Sequence, residues 1–298
     1  MICSSLNLDF LILPPPARAD STQNWMDFRG SGHGGSLSLT QFALLRSAGG
    51  LGLALCLLPT IGKDELKPKN TKLQFTRIAA CIGYMFAMMY SLTKLSLADA
   101  TALSYTQAIW IVVLAIPILH EVIFLNRWIG AIAGLLGAIC LIQPSFDWFS
   151  VLPFLVLLGM SQNALALVLT KYLQRSGEHP LAAMLYVNLG VFLFFLPAIF
   201  LPWPGISWWY IAPLVIGPLG MYVGIIALRY AEASVLAPYT YTRLLAAWAI
   251  GPLIFSEIPN LLSLVGAIVI VAACLISSYD PARASTTLGP RGSRSTEP

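Results

Sequence analysis

The chain has 298 residues and 30 charged side chains, 17 basic and 13 acidic, so 10% is charged against 57% apolar, with a mean hydropathy of +0.77. A soluble domain carries about 25% charged residues. This composition excludes a soluble enzyme, a nucleic-acid-binding protein and a disordered chain, and leaves a polytopic membrane protein.

Residues 1–41 stand apart, with Pro14, Pro15 and Pro16, a glycine-rich stretch over 30–35, and Asp9 inside the one apolar run. No basic residue precedes that run, so the segment reads as an irregular tail rather than a signal peptide. The rest is punctuated apolar sequence. A crossing needs about 20 apolar residues, and in lipid the backbone must bond internally, so the runs read as helices. Nine are predicted, over 42–60, 74–94, 99–119, 127–143, 149–171, 181–201, 208–229, 234–254 and 259–278. Pro144, the link 175–180 and Pro202–Gly205 separate them. A polar tail over 280–298 follows.

With nine alternating helices, one face of the membrane receives Lys63, Lys67, Lys69, Lys72, Arg77, Arg127, Lys171, Arg175, Arg229, Arg283, Arg291 and Arg294. Apart from the N-terminal tail, the other face receives Lys94. The positive-inside rule then puts the C-terminus in the cytoplasm.

The two halves repeat each other. Ala98-Asp99-Ala100 recurs as Ala231-Glu232-Ala233, Tyr105-Thr106 as Tyr239-Thr240, and Glu121 with Gly130 as Glu257 with Gly266, at offsets of 133, 134 and 136. Span 149–171 has no partner, because the matching place is the irregular tail. The pattern predicts an all-α bundle of inverted repeats lacking the first helix of a ten-helix design, with one four-helix repeat over 42–144 and a five-helix repeat over 145–279. Inverted repeats are typical of secondary transporters, whose substrate sits near the midplane between halves.

The stretch Ala98 to Gly137, with Glu121, Arg127-Trp128-Ile129-Gly130 and a glycine-studded helix, and its copy Ala231 to Ile268 resemble the EamA type of the drug/metabolite transporter superfamily. Ala237-Pro238-Tyr239, Tyr241 and Phe255-Ser256-Glu257 resemble the branch with bacterial S-adenosylmethionine transporters. The resemblance implies a multi-pass bacterial inner-membrane carrier for a small metabolite, with no cofactor.

A charge at membrane depth is a candidate for function. Arg243 lies nine residues into its span; it reads either as a cation for an anionic substrate group or as a structural partner of a carbonyl. Arg46 lies about one turn into the first span, from where it can snorkel. Tyr239 and Arg243 share a helix face, with Tyr241 elsewhere; Gln107 and Trp110 share another, with Tyr105 to the side. These seven are the candidate substrate-binding residues. Glu121 and Glu257 read as hairpin residues, and Gly130, Gly134, Gly220 and Gly224 as packing positions. Pro238 is expected to bend its helix.

Five cysteines without paired spacing read as buried apolar groups, and no catalytic or metal-binding motif occurs. The expected function is alternating-access transport of small polar organic metabolites of an amino-acid-like or nucleoside-derivative class. Proton or exchange coupling and a homodimer remain open, and no nucleic-acid partner is expected. The alternative is a degenerate, non-transporting protein from a truncated or mis-started frame.

Overall fold

The computed structural model describes residues 38–60, 62, 66, 68–92, 95, 97–121, 123–143, 151–203, 211–246 and 261–278. Glu257 and most of both predicted tails lie outside them. The helices among the described residues include α1 Leu39–Leu57, α2 Thr71–Leu92, α3 Leu97–Ser104, α4 Gln107–Leu119, α5 Leu125–Ile142, α6 Leu152–Arg175, α7 Pro180–Phe195, α8 Ile211–Tyr230, α9 Ala233–Leu236 and α10 Leu261–Ser278. Short 3-10 turns extend three of them, over Leu58–Thr60, Leu196–Phe200 and Pro238–Tyr241.

Local chemistry sets the helix ends. At α1, Ser38 Oγ accepts from the Gln41 N–H at 3.2 Å and Gln41 Oε1 accepts from the Ser38 N–H at 2.9 Å, a reciprocal cap. Asn70 accepts from the Leu73 N–H to open α2, and His179 accepts from the Leu181 N–H to open α7. Pro153 and Pro180 sit in the first turns of α6 and α7, where no amide hydrogen is needed.

Among the described residues, five stretches are long and apolar enough to cross a membrane: Thr40–Leu57, Asp99–Leu119, Leu125–Ile142, Leu152–Arg175 and Pro180–Phe200. Leu214–Tyr230 and Leu261–Ser277 are shorter apolar helices. The bundle's outside is apolar, with Phe154, Leu158, Leu193, Val223, Ile268 and Leu275 exposed, as contact with lipid requires. Helices meet through small residues instead. One tight seam joins α5 to α10, which run antiparallel. A methyl group on Gly137 would lie 2.9 Å from the Gly266 carbonyl oxygen, and one on Gly130 would lie 2.9 Å from the Ala273 carbonyl oxygen. Further packing pairs are α2 with α6, α1 with α7 and α8, and α4 with α6.

Two predicted spans are not continuous helices. Stretch 99–119 breaks at Tyr105 and Thr106 between α3 and α4. There the amides of Tyr105 and Thr106 reach back three residues, to Ala102 O and Leu103 O, and Thr106 Oγ1 also donates to Leu103 O at 2.7 Å. The stretch from 234 breaks after Leu236, because Pro238 lacks the amide hydrogen that a helix needs there. Thr240 repeats the bond of Thr106, donating from Oγ1 to Ala237 O at 2.7 Å, and a helical turn resumes over 242–246. Both breaks thus fall at Tyr-Thr pairs that match in the sequence repeat.

Candidate functional site

The two breaks meet in the interior. The Tyr105 and Tyr241 rings lie 5.6 Å apart. Tyr241 is fully buried; its hydroxyl donates to Ala131 O at 2.8 Å and reaches Tyr105 O at 3.3 Å. Gly134 makes room for that ring, since a methyl group there would come within 2.3 Å of it. Tyr241 therefore braces the junction from the α5 side. Arg243 is half-buried and places its guanidinium carbon 5.5 Å from the Tyr105 ring centre, while its Nε donates to Thr240 O at 3.2 Å. A cation over an aromatic face, beside backbone carbonyls loosened by a helix break, is a place where polar cargo finds both charge and hydrogen bonds.

The structure thus brings together Tyr105, Tyr241 and Arg243. Tyr239 is exposed, and Pro238 is buried, its carbonyl accepting from Cys274 Sγ at 3.4 Å. Gln107 is buried at the start of α4, where its Nε2 finds no hydrogen-bond acceptor among the described residues, and Trp110 packs partly buried against the core.

Arg46 occupies a separate place. It lines a cavity of about 30 Å³ between α1, α2, α7 and α8, together with Ser47, Met85, Asn188 and Met221. The last three lie near the middles of their helices, so Arg46 faces inward rather than along the lipid. The volume suits a water molecule, far below the roughly 300 Å³ where small-molecule pockets begin.

A third polar cluster closes one end of the bundle. Glu121, buried in the link between α4 and α5, accepts from Arg175 Nη2 at 2.9 Å and from Ser234 Oγ at 2.8 Å. It also accepts from the Ser234 and Ala233 amides at 3.3 and 3.4 Å. Arg127 on α5 donates to Ser234 Oγ at 2.7 Å and pairs with Glu232 at 2.5 Å. Arg175 Nη1 donates to Leu119 O at the end of α4, and Lys171 Nζ donates to Leu228 O and Ala231 O at the end of α8. Cations thus sit on the carbonyl ends of helices, and a carboxylate sits on an amide end, as the helix dipoles favour.

At the same end, Arg77 is fully buried: Nη2 donates to Ala183 O at 2.7 Å, and Glu178 lies 3.9 Å away. Gln74 Nε2 donates to Glu178 Oε1. Burial pushes the Glu178 carboxyl above the usual carboxylate range, against the opposite pull of Arg77 and of the Gln74 bond. Sequence reasoning counted Arg77 only as a basic marker of one membrane face; the signal for more was Gln74, three residues earlier on the same helix face. Of the glycines read as packing positions, Gly130 and Gly134 touch neighbours, whereas Gly220 faces open space.

Comparisons with known proteins agree with this architecture. Residues 33–143 match the EamA-like transporter family. The S-adenosylmethionine uptake transporter of Rickettsia prowazekii (strain Madrid E) is 26% identical over 76% of this chain and 79% of its own. The riboflavin transporter of Brucella anthropi is 27% identical over 75% of this chain and 82% of its own. A solved crystal structure, 17% identical, superposes with a TM-score of 0.70 over 93% of each chain. The chain is a multi-pass membrane protein whose residues 33–143 resemble the EamA-like transporter family and which is similar along most of its length to S-adenosylmethionine uptake transporters.

Proposed function

We propose that the chain is a secondary transporter of small polar organic metabolites, of an amino-acid-like or nucleoside-derivative class, working by alternating access. Nine crossings form inverted halves over 42–144 and 145–279, in a bacterial inner membrane with the C-terminus in the cytoplasm. Supporting the inverted repeat, the α5–α10 seam survives exchange of the halves. Adding 136 to Gly130 and Gly137 gives Gly266 and Ala273, so the Gly130–Ala273 contact becomes the Gly137–Gly266 contact.

One observation carries the reading: Arg243 lies over Tyr105 where two broken, repeat-related helices meet. A carboxylate or an electron-rich ring of the cargo would enter between Arg243 and the loosened carbonyls, with Tyr239, Gln107 and Trp110 around it and Arg46 deeper between α1 and α7. The names of the relatives nominate S-adenosylmethionine and riboflavin as the first cargoes to try. The test is uptake of labelled S-adenosylmethionine, riboflavin and a metabolite panel into vesicles holding the protein, with and without a pH gradient. Accumulation above empty vesicles, lost in Arg243→Ala at equal membrane content, is expected. No transport of any panel member by protein verified in the membrane would reject the proposal.

A further inference from the structure

We infer that Glu121, Arg127, Arg175, Glu232 and Ser234 form the gate that holds the cytoplasmic mouth shut, and that their bonds must break before cargo can leave on that side.

The cluster joins parts that an alternating-access motion would separate. Glu121 and Arg127 belong to the first half, on the α4–α5 link and the start of α5. Arg175, Glu232 and Ser234 belong to the second, at the end of α6 and around the start of α9. Glu121 is held by one guanidinium, one hydroxyl and two amides from across the divide, at 2.8 to 3.4 Å. Arg127 adds the Glu232 pair and shares the Ser234 hydroxyl. At the opposite end, the described residues of the two halves meet through neutral bonds such as Gln41 Nε2 to Pro202 O at 3.1 Å and Gln143 Nε2 to Ser263 Oγ at 3.4 Å.

The chemistry suits a gate. Charged hydrogen bonds give a well-defined closed state, yet each member regains water when the mouth opens, because the cluster lies at the end of the bundle rather than at depth. Glu232 and Arg175 already have side chains 47% and 42% exposed, while Glu121 behind them is 1% exposed. Opening therefore hydrates the cluster from the outside inward. Just inside it lies Ala237, fully buried, and beyond that the Tyr105–Tyr241 junction.

This inference rests on the alternating-access reading, but its test needs no cargo, so a failed transport panel and a failed gate remain separate results. Ala237→Cys is made in protein whose Cys3, Cys56, Cys81, Cys140 and Cys274 are replaced by Ala. Its labelling by a membrane-impermeant maleimide is timed in inside-out and right-side-out vesicles. With the cluster intact, labelling from the cytoplasmic side should be slow. Glu121→Gln and Arg175→Ala should speed it about tenfold, the effect of losing one charged hydrogen bond. Glu232→Gln should speed it less, and labelling from the other side should not rise. If Glu121→Gln fails to reach the membrane, the more exposed Arg175 and Glu232 variants carry the test. Labelling within about twofold of the intact protein in every folded variant would overturn the inference and leave the cluster a static clamp.

Discussion

Arg243 and Tyr105 come from opposite halves of the sequence, yet the guanidinium lies 5.5 Å from the ring centre. Each belongs to a span interrupted at a Tyr-Thr pair, so the contact joins two breaks rather than two smooth helices. If cargo binds here, the ring face matters more than the phenol hydroxyl. Tyr105→Phe should keep transport near the parent rate, whereas Tyr105→Leu should raise KM about tenfold, in line with roughly 1–2 kcal/mol for a desolvated cation–π contact. Initial rates in vesicles decide it, and equal KM for the two variants would remove Tyr105 from the site.

Arg243→Ala should abolish transport while membrane content holds. Arg243→Lys should recover only part of it, because an ammonium lacks the planar fork that grips a carboxylate with two parallel bonds. Full activity in the alanine variant would assign Arg243 a purely structural role.

Tyr241 braces the junction through its buried hydroxyl, which donates to Ala131 O at 2.8 Å. Tyr241→Phe should lower stability by about 1 kcal/mol. Gly134→Ala should cost about 1–3 kcal/mol, because the added methyl group overlaps the ring. Thermal unfolding in detergent measures both. The double variant should cost less than the sum of the two, since both act on one ring.

Glu178 gives stability a pH dependence of defined sign. Its carboxyl sits above the ordinary value in the folded protein, chiefly through burial. The folded state therefore holds a proton that the unfolded chain has already released. The contribution is fully present below the unfolded carboxylate value and is lost as pH rises through the raised folded one. Glu178→Gln should flatten that part of the profile of melting temperature against pH. Parallel profiles for parent and variant would show that Glu178 does not carry the effect.

The α5–α10 seam offers a packing test. Gly266→Leu should prevent close approach to Gly137 and cost more than about 3 kcal/mol, read as loss of folded protein on gel filtration. Gly220→Leu, at a position facing open space, should be tolerated.

Much of the bundle was legible because lipid forces apolar runs into helices and turn residues divide them. Pro238 announced the break in its own span. Nothing comparable marked Tyr105, where the backbone is diverted by serine and threonine hydroxyls that also occur in unbroken membrane helices; the hint was the repeat that aligns it with Tyr239. The sequence put Tyr239 on Arg243's face, as a four-residue spacing requires in an α-helix. A 3-10 turn over Pro238–Tyr241 replaces the α-helix there, and the Arg243–Tyr105 contact comes from the other half of the chain, which that spacing could not announce. The end cluster was visible only as charges near links. Which charge pairs with which depends on how α9 docks against the α4–α5 link, and no local pattern encodes that. Arg77 was read from its place near a loop, whereas helix packing turned it inward.

The α5–α10 seam is pinned at two points, Gly130 against Ala273 and Gly137 against Gly266. Seven residues of helix separate the pins, about 10 Å. Bulk added at one pin alone would tilt α10 about the other, like a door on a single fastened hinge, whereas bulk at both would shift it bodily outward. Only the tilt changes the angle at which α10 presents Cys274 to the Pro238 carbonyl. Lopsided enlargement of the seam would therefore reach the second helix break, while a balanced one would mostly loosen the bundle.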